Sequence, residues 1–138
     1  METITIFVAG RSKGDPGPAA IGVHVVDEAE QVVLEHHAAI GNATDDFATY
    51  QAVVEALDVV HTQFKQATRD MQCDLKLDNE FVKQQLNGEV PVTDPRAVSH
   101  FIHIHNLRVE DFPNLTLSSV SRADNTNAVQ LAERLLDE

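Results

Sequence analysis

Residues 4–22 read ITIFVAGRSKGDPGPAAIG. Ile4, Thr5, Ile6, Phe7 and Val8 place β-branched and aromatic residues on both parities, the pattern of a strand covered on both faces. Ala9-Gly10 ends the run. Arg11 to Asp15 reads as a polar turn, and Pro16-Gly17-Pro18 leads into a second strand near Ala19. A buried strand that ends in a glycine turn is where α/β proteins place their chemistry. The residue at that edge is Ala9, which carries no functional group.

Working outward, Ala19 to Val26 alternates as a strand, and the turn 27–30 joins it to a third, Gln31 to Ile40. Short turns between three strands predict an antiparallel meander. His36 and His37 are adjacent, so they point to opposite faces and are read as surface residues. Thr44 is a good N-cap, with Asp45 and Asp46 favoured in the first turn. The helix it starts is expected to run to about Lys65, burying Phe47, Tyr50, Val54, Leu57 and Phe64 with His61 in the gap. Thr49 falls on a flank of that stripe.

Cys73 to Leu77 reads as a short strand with Asp78 at its carboxyl end. Asn79 caps a helix from Glu80 to Leu86 that stops at Asn87-Gly88. Asp94 caps another, with Pro95 first, reaching about Arg108 and burying Val98, Phe101, Ile102 and part of His100, His103 and Ile104. Leu115 to Ser121 reads as a fifth strand. Asn125 or Thr126 caps a last helix whose apolar face is Ala128, Leu131, Ala132 and Leu135. The order βββαβααβα is mixed α/β, read as one domain over residues 1–138.

Asp plus Glu number 22 against 10 Lys plus Arg, a net charge of −12. Nucleic acid binding draws on Lys and Arg that displace counterions from phosphate, and an acidic surface opposes it. The basic residues here are scattered along the chain. Hydrophobic residues make up 43%, which suits a globular domain. No apolar run approaches the roughly 18 residues of a transmembrane helix, and METITIF lacks the basic start of a signal peptide. The lone Cys73 fits a reducing cytoplasm and reads as a buried filler.

Four stretches in order, IFVAGRSKGDPGPAAIG, GNATDDFATYQAVVEAL, LKLDNEFVKQQLNGE and VSRADNTNAVQLAERLL, resemble the ribonuclease H type 1 family. The resemblance covers nearly the whole chain. It implies a ribonuclease H-like fold: a five-stranded mixed sheet, the first three strands antiparallel, with helices on both faces. Active members hydrolyse RNA in RNA–DNA hybrids. Four of their carboxylates hold two divalent metals, Mg²⁺ or Mn²⁺, about 4 Å apart.

Carried onto this sequence, the four carboxylate positions are Ala9, Thr49, Asp78 and Val129. Only Asp78 is a carboxylate. Alanine and valine have no ligand atom, and Mg²⁺ takes hard oxygen ligands. The family's paired asparagines are Asp45 and Asp46 here, which accept hydrogen bonds but repel phosphate. Gly10, Arg11, Thr44 and Asn79 remain as substrate-binding candidates by position. The expectation is a catalytically silent domain with no metal cofactor, for which a protein partner is favoured over nucleic acid. Activity in Ala9→Asp/Thr49→Glu/Val129→Asp would show that only the chemistry was lost.

One alternative is residual or re-sited metal-dependent hybrid cleavage, with Asp46, Asp78 and Asp124 as a rebuilt cluster and Glu80 beside it. The plainer reading makes Asp45 and Asp46 dipole-favouring first-turn residues and Asp124 a loop residue. A zinc site in His100, His103 and His105 is disfavoured. His105 faces away from the other two, and no further ligand stands at zinc spacing.

Overall fold

The computed structural model describes residues 2–136. Strands β1 (Thr3–Ser12), β2 (Gly17–Val26) and β3 (Val32–Ala43) form the antiparallel meander. β1 also pairs in parallel with β4 (Gln72–Leu77), and β4 with β5 (Leu115–Ser119). The sheet order is β3-β2-β1-β4-β5, so β1 is central, with Ile4, Ile6 and Val8 buried on one face and half-buried Thr3, Thr5 and Phe7 leading to buried Ala9 on the other. The helices are α1 (Asp45–Phe64), α2 (Glu80–Leu86), α3 (Pro95–Glu110) and α4 (Thr126–Arg134). Short 3₁₀ segments cover Lys65–Asp70 and Arg122–Asn125. This is the expected α/β order with helices on both faces.

Two glycines seat the helices. A Cβ on Gly10 would lie 2.2 Å from the Thr49 backbone nitrogen, so β1 and α1 touch backbone to backbone there. A Cβ on Gly22 would lie 2.1 Å from the Ala128 carbonyl, so β2 and α4 touch likewise. Gly22 pairs with Ala9, the neighbour of Gly10. Residues paired across a ladder share a face and successive residues alternate, so α1 and α4 press on opposite sides of the sheet.

The local signals held. The Thr44 hydroxyl accepts from the Phe47 amide at 3.1 Å, the Asn79 side chain from Val82 at 3.0 Å, and the Asp94 carboxylate from Arg96 at 2.9 Å. Cys73 is fully buried, and burial pushes its thiol up to about 11.

Where packing decides, the sequence reading needs correction. β1 does not end at Ala9. It continues through Arg11 and Ser12, because Ala20 and Ala19 of β2 extend the ladder. The buried face of α1 is Ala48, Thr49, Ala52, Val53 and Ala56 together with Tyr50, Leu57 and Val60, while Phe47, Val54 and Phe64 lie at its edge. Contact at Gly10 admits only small residues, which turns the helix from the expected stripe and buries Thr49. On α3, Ala97 and Ile104 are buried, with Phe101 packed against the core, whereas Val98 and Ile102 are exposed. β5 stops at Ser119 because its partner β4 stops at Leu77, the residue it pairs with. On α4 the buried set is Ala128, Val129, Leu131 and Ala132, with Leu135 only half-buried.

Candidate functional site

The last rung of the parallel β1–β4 ladder joins Val8 to Leu77. β4 ends there while β1 runs on to Ser12, so Asp78 leaves the sheet beside Ala9. This is the carboxyl end of two parallel strands, at the point where β1 has an antiparallel neighbour on its other side. α1 brings Thr49 against Gly10, and α4 brings Val129 into a small apolar cluster with Ala9 and Ala128, Phe7 packing against it. The four positions singled out in the sequence therefore converge on one end of the sheet.

Three of them are closed. Ala9 is 0%, Thr49 2% and Val129 4% exposed. The Thr49 hydroxyl donates to the Asp45 carbonyl at 2.9 Å, one turn back in its own helix. Ala9 and Val129 fill with hydrocarbon the space between β1 and α4.

Asp78 is held on both oxygens. The Arg11 guanidinium donates to Oδ2, and the Asn125 amide donates to Oδ1 at 3.0 Å. The Asp78 side chain is 6% exposed and that of Arg11 16%. Arg11 is anchored a second time, on the Gly10 carbonyl at 2.8 Å. Asn125 also donates to the Val8 carbonyl at 2.8 Å, the backbone oxygen just before Ala9. Two acceptors on one side set the orientation of this amide, and its oxygen has no partner among the described residues.

The sequence offers Asn125 or Thr126 as the cap of α4. Asn125 occupies the cap position, yet its side chain makes no capping bond. Ser121 opens the preceding 3₁₀ turn instead, accepting from the Asp124 amide at 3.2 Å. The role of Asn125 was missed because its partners lie 117 and 47 residues away. The run RADNTNA, already noted, was the one available signal.

The remaining candidates have structural partners. Asp45 accepts from the Ser12 amide at 2.6 Å, and Asp46 from the Asn79 side chain at 2.8 Å. Thr44 and Asn79 cap helices, and Gly10 is a contact point. A polar recess of about 430 Å³ opens beside this rim, lined by Ser12 to Asp15 and Thr44 to Asp46. Asp124 is exposed on its 3₁₀ turn. Glu80 is held below the ordinary carboxylate range, chiefly by a hydrogen bond from Ser119, with Lys83 adding to it. Among the described residues, no three His, Cys, Asp or Glu side chains gather as a metal would require. His100 is bonded to Gln51 at 2.6 Å, and His103 stands 3.9 Å from Asp58.

A family described as "Reverse transcriptase-like" matches residues 7–135. Ribonuclease HI of Halobacterium salinarum is 33% identical over 135 residues, which is 96% of this chain and 63% of that protein. This chain belongs to the ribonuclease HI-like family. LC11-RNase H1, isolated from compost, superposes with a TM-score of 0.93 at 32% identity, covering 99% of this chain and 97% of that one. The same enzyme in complex with an RNA/DNA hybrid gives 0.90 at 31% identity, covering 95% and 94%. The bifunctional protein Rv2228c of Mycobacterium tuberculosis is 30% identical over 136 residues, spanning 97% of this chain and 35% of that protein. This ribonuclease HI-like chain thus covers less than two thirds of the curated relatives named here. Among its described residues no helix is long and apolar enough to cross a membrane.

Proposed function

We propose that this chain is a catalytically silent ribonuclease HI-like domain that works by interaction rather than hydrolysis. The observation that carries the reading is the state of Asp78. The one carboxylate among the four family positions has both oxygens engaged, by Arg11 and by Asn125. Ala9 and Val129 pack together as hydrocarbon, and Thr49 spends its hydroxyl on its own helix. These residues do not fit a pair of divalent metals, which need several hard oxygen ligands around each ion. A Mg²⁺ or Mn²⁺ cofactor is therefore not part of the reading.

The partner we favour is a protein. A net charge of −12 and the carboxylates Asp45 and Asp46 on the rim oppose a phosphate backbone. The single buried Cys73 supports a cytoplasmic setting. Incubation with a labelled RNA–DNA hybrid and Mg²⁺ or Mn²⁺ is expected to leave the hybrid intact. Metal-dependent cleavage that Asp78→Asn abolishes would instead establish the residual or re-sited enzyme. Anisotropy titration is expected to show no micromolar hybrid binding at about 150 mM salt, where surface electrostatics are already screened.

A further inference from the structure

We infer that Arg11 is an internal stand-in for the missing metal charge, and that it bars divalent cations from the site even when ligands are restored. The inference rests on the silent-domain reading and goes further, because it names a residue outside the four carboxylate positions as the block.

Charge balance is the starting point. In the active pattern that the sequence resembles, four carboxylates face two divalent cations, four negative charges against four positive. Here one carboxylate faces one guanidinium. Within this pair the charges balance one against one, where the resemblance implies four against four. A carboxylate as covered as Asp78 requires a compensating cation, since an uncompensated buried charge is strongly disfavoured.

Geometry makes Arg11 specific to that task. It lies on the stretch of β1 that outruns β4, so it stands next to the place where Asp78 leaves the sheet. Its guanidinium bridges Gly10 O and Asp78 Oδ2 and is mostly covered. It therefore differs from a solvent-exposed arginine that swings freely. A divalent ion on Asp78 would have to share Oδ2 with this guanidinium at a few ångströms, like charge against like charge in a water-poor setting. Asn125 takes the other oxygen and also ties it to the Val8 carbonyl. Restoring Ala9, Thr49 and Val129 to carboxylates adds ligands but leaves the occupant in place.

The test compares Ala9→Asp/Thr49→Glu/Val129→Asp with the same triple variant carrying Arg11→Ala. Mn²⁺ binding is read by titration calorimetry, and thermal unfolding with and without about 10 mM Mn²⁺ gives a second readout that does not depend on activity. The fourfold variant is expected to bind Mn²⁺ at least tenfold more tightly than the triple one, and to gain about 5 °C or more in Tm on adding the metal. Equal Mn²⁺ affinity in the two variants overturns the inference.

Should the added carboxylates prevent folding, the original chain offers a second arm. Arg11→Gln and Asp78→Asn are each expected to lower Tm, and the double variant to recover at least half of the summed loss. Strictly additive losses overturn the inference. Cleavage of hybrid by the unmodified chain would sink the silent-domain reading instead, so the two failures are distinguishable.

Discussion

Two polar constellations of this molecule are built differently. At the end of β1 and β4, Arg11, Asp78 and Asn125 form a compact group with little solvent contact. Along the length of α1, histidines meet acids and amides in a looser chain. His36 binds Glu55 at 2.8 Å, Gln51 binds both Glu55 and His100, and His61 and His103 face Asp111 and Asp58 at 3.4 and 3.9 Å. The second group has more members, but most of its ion-pairing side chains touch water. Burial, not the number of contacts, sets what each pair is worth. Exposed pairs contribute little, whereas breaking a covered pair strands a charge.

Four measurements can break that comparison. Arg11→Ala is expected to lower unfolding free energy by about 3 kcal/mol, the cost of leaving a covered carboxylate unpaired; urea unfolding reads it directly. Asn125→Ala is expected to cost about 2 kcal/mol, since it removes the donor to both the buried Val8 carbonyl and Asp78.

The third measurement is pH dependence on the α1–α3 side. Burial holds His100 below the ordinary histidine value, with the nearby His103 adding to the effect. The folded state therefore prefers neutral His100, and the unfolded chain takes up the proton first. The stability this contributes is present above the ordinary value of about 6.5 and is lost as pH falls through the lowered one. Denaturant midpoints between pH 7 and 5 are expected to fall, and His100→Asn to flatten the slope. Smallest of all, His103→Ala is expected to change stability by less than about 0.5 kcal/mol, because both partners of its pair are half exposed. If His103→Ala costs as much as Arg11→Ala, the contrast between the two regions fails.

The fold was legible where local chemistry governs it. Thr44, Asn79 and Asp94 were recognisable caps, and the Asn87-Gly88 stop was visible, Gly88 carrying a φ of +74°. The four positions carried over by resemblance lie together at one end of the sheet. The inward faces of α1 and α3 were legible only in part, Tyr50, Leu57 and Phe101 lying inward as expected. The large residues Phe47, Val54, Val98 and Ile102 satisfied a helical period, yet Ala48 and Thr49 face the core on α1, where the backbones meet at Gly10, and Ala97 is buried on α3. Hydrophobic periodicity ranks residues by polarity, whereas close packing at Gly10 ranks them by size.

The sequence by itself determined the chain's elements, their order, and the absence of a ligand atom at Ala9 and Val129. Those are properties of single residues or of neighbours within a helical turn. Only the tertiary structure decided what became of Asp78. Its cation lies 67 residues away and its amide 47 residues away. They meet because β1 runs past the end of β4 while α4 crosses the opposite face from α1. No local rule carries that information, since it depends on where one strand stops beside another.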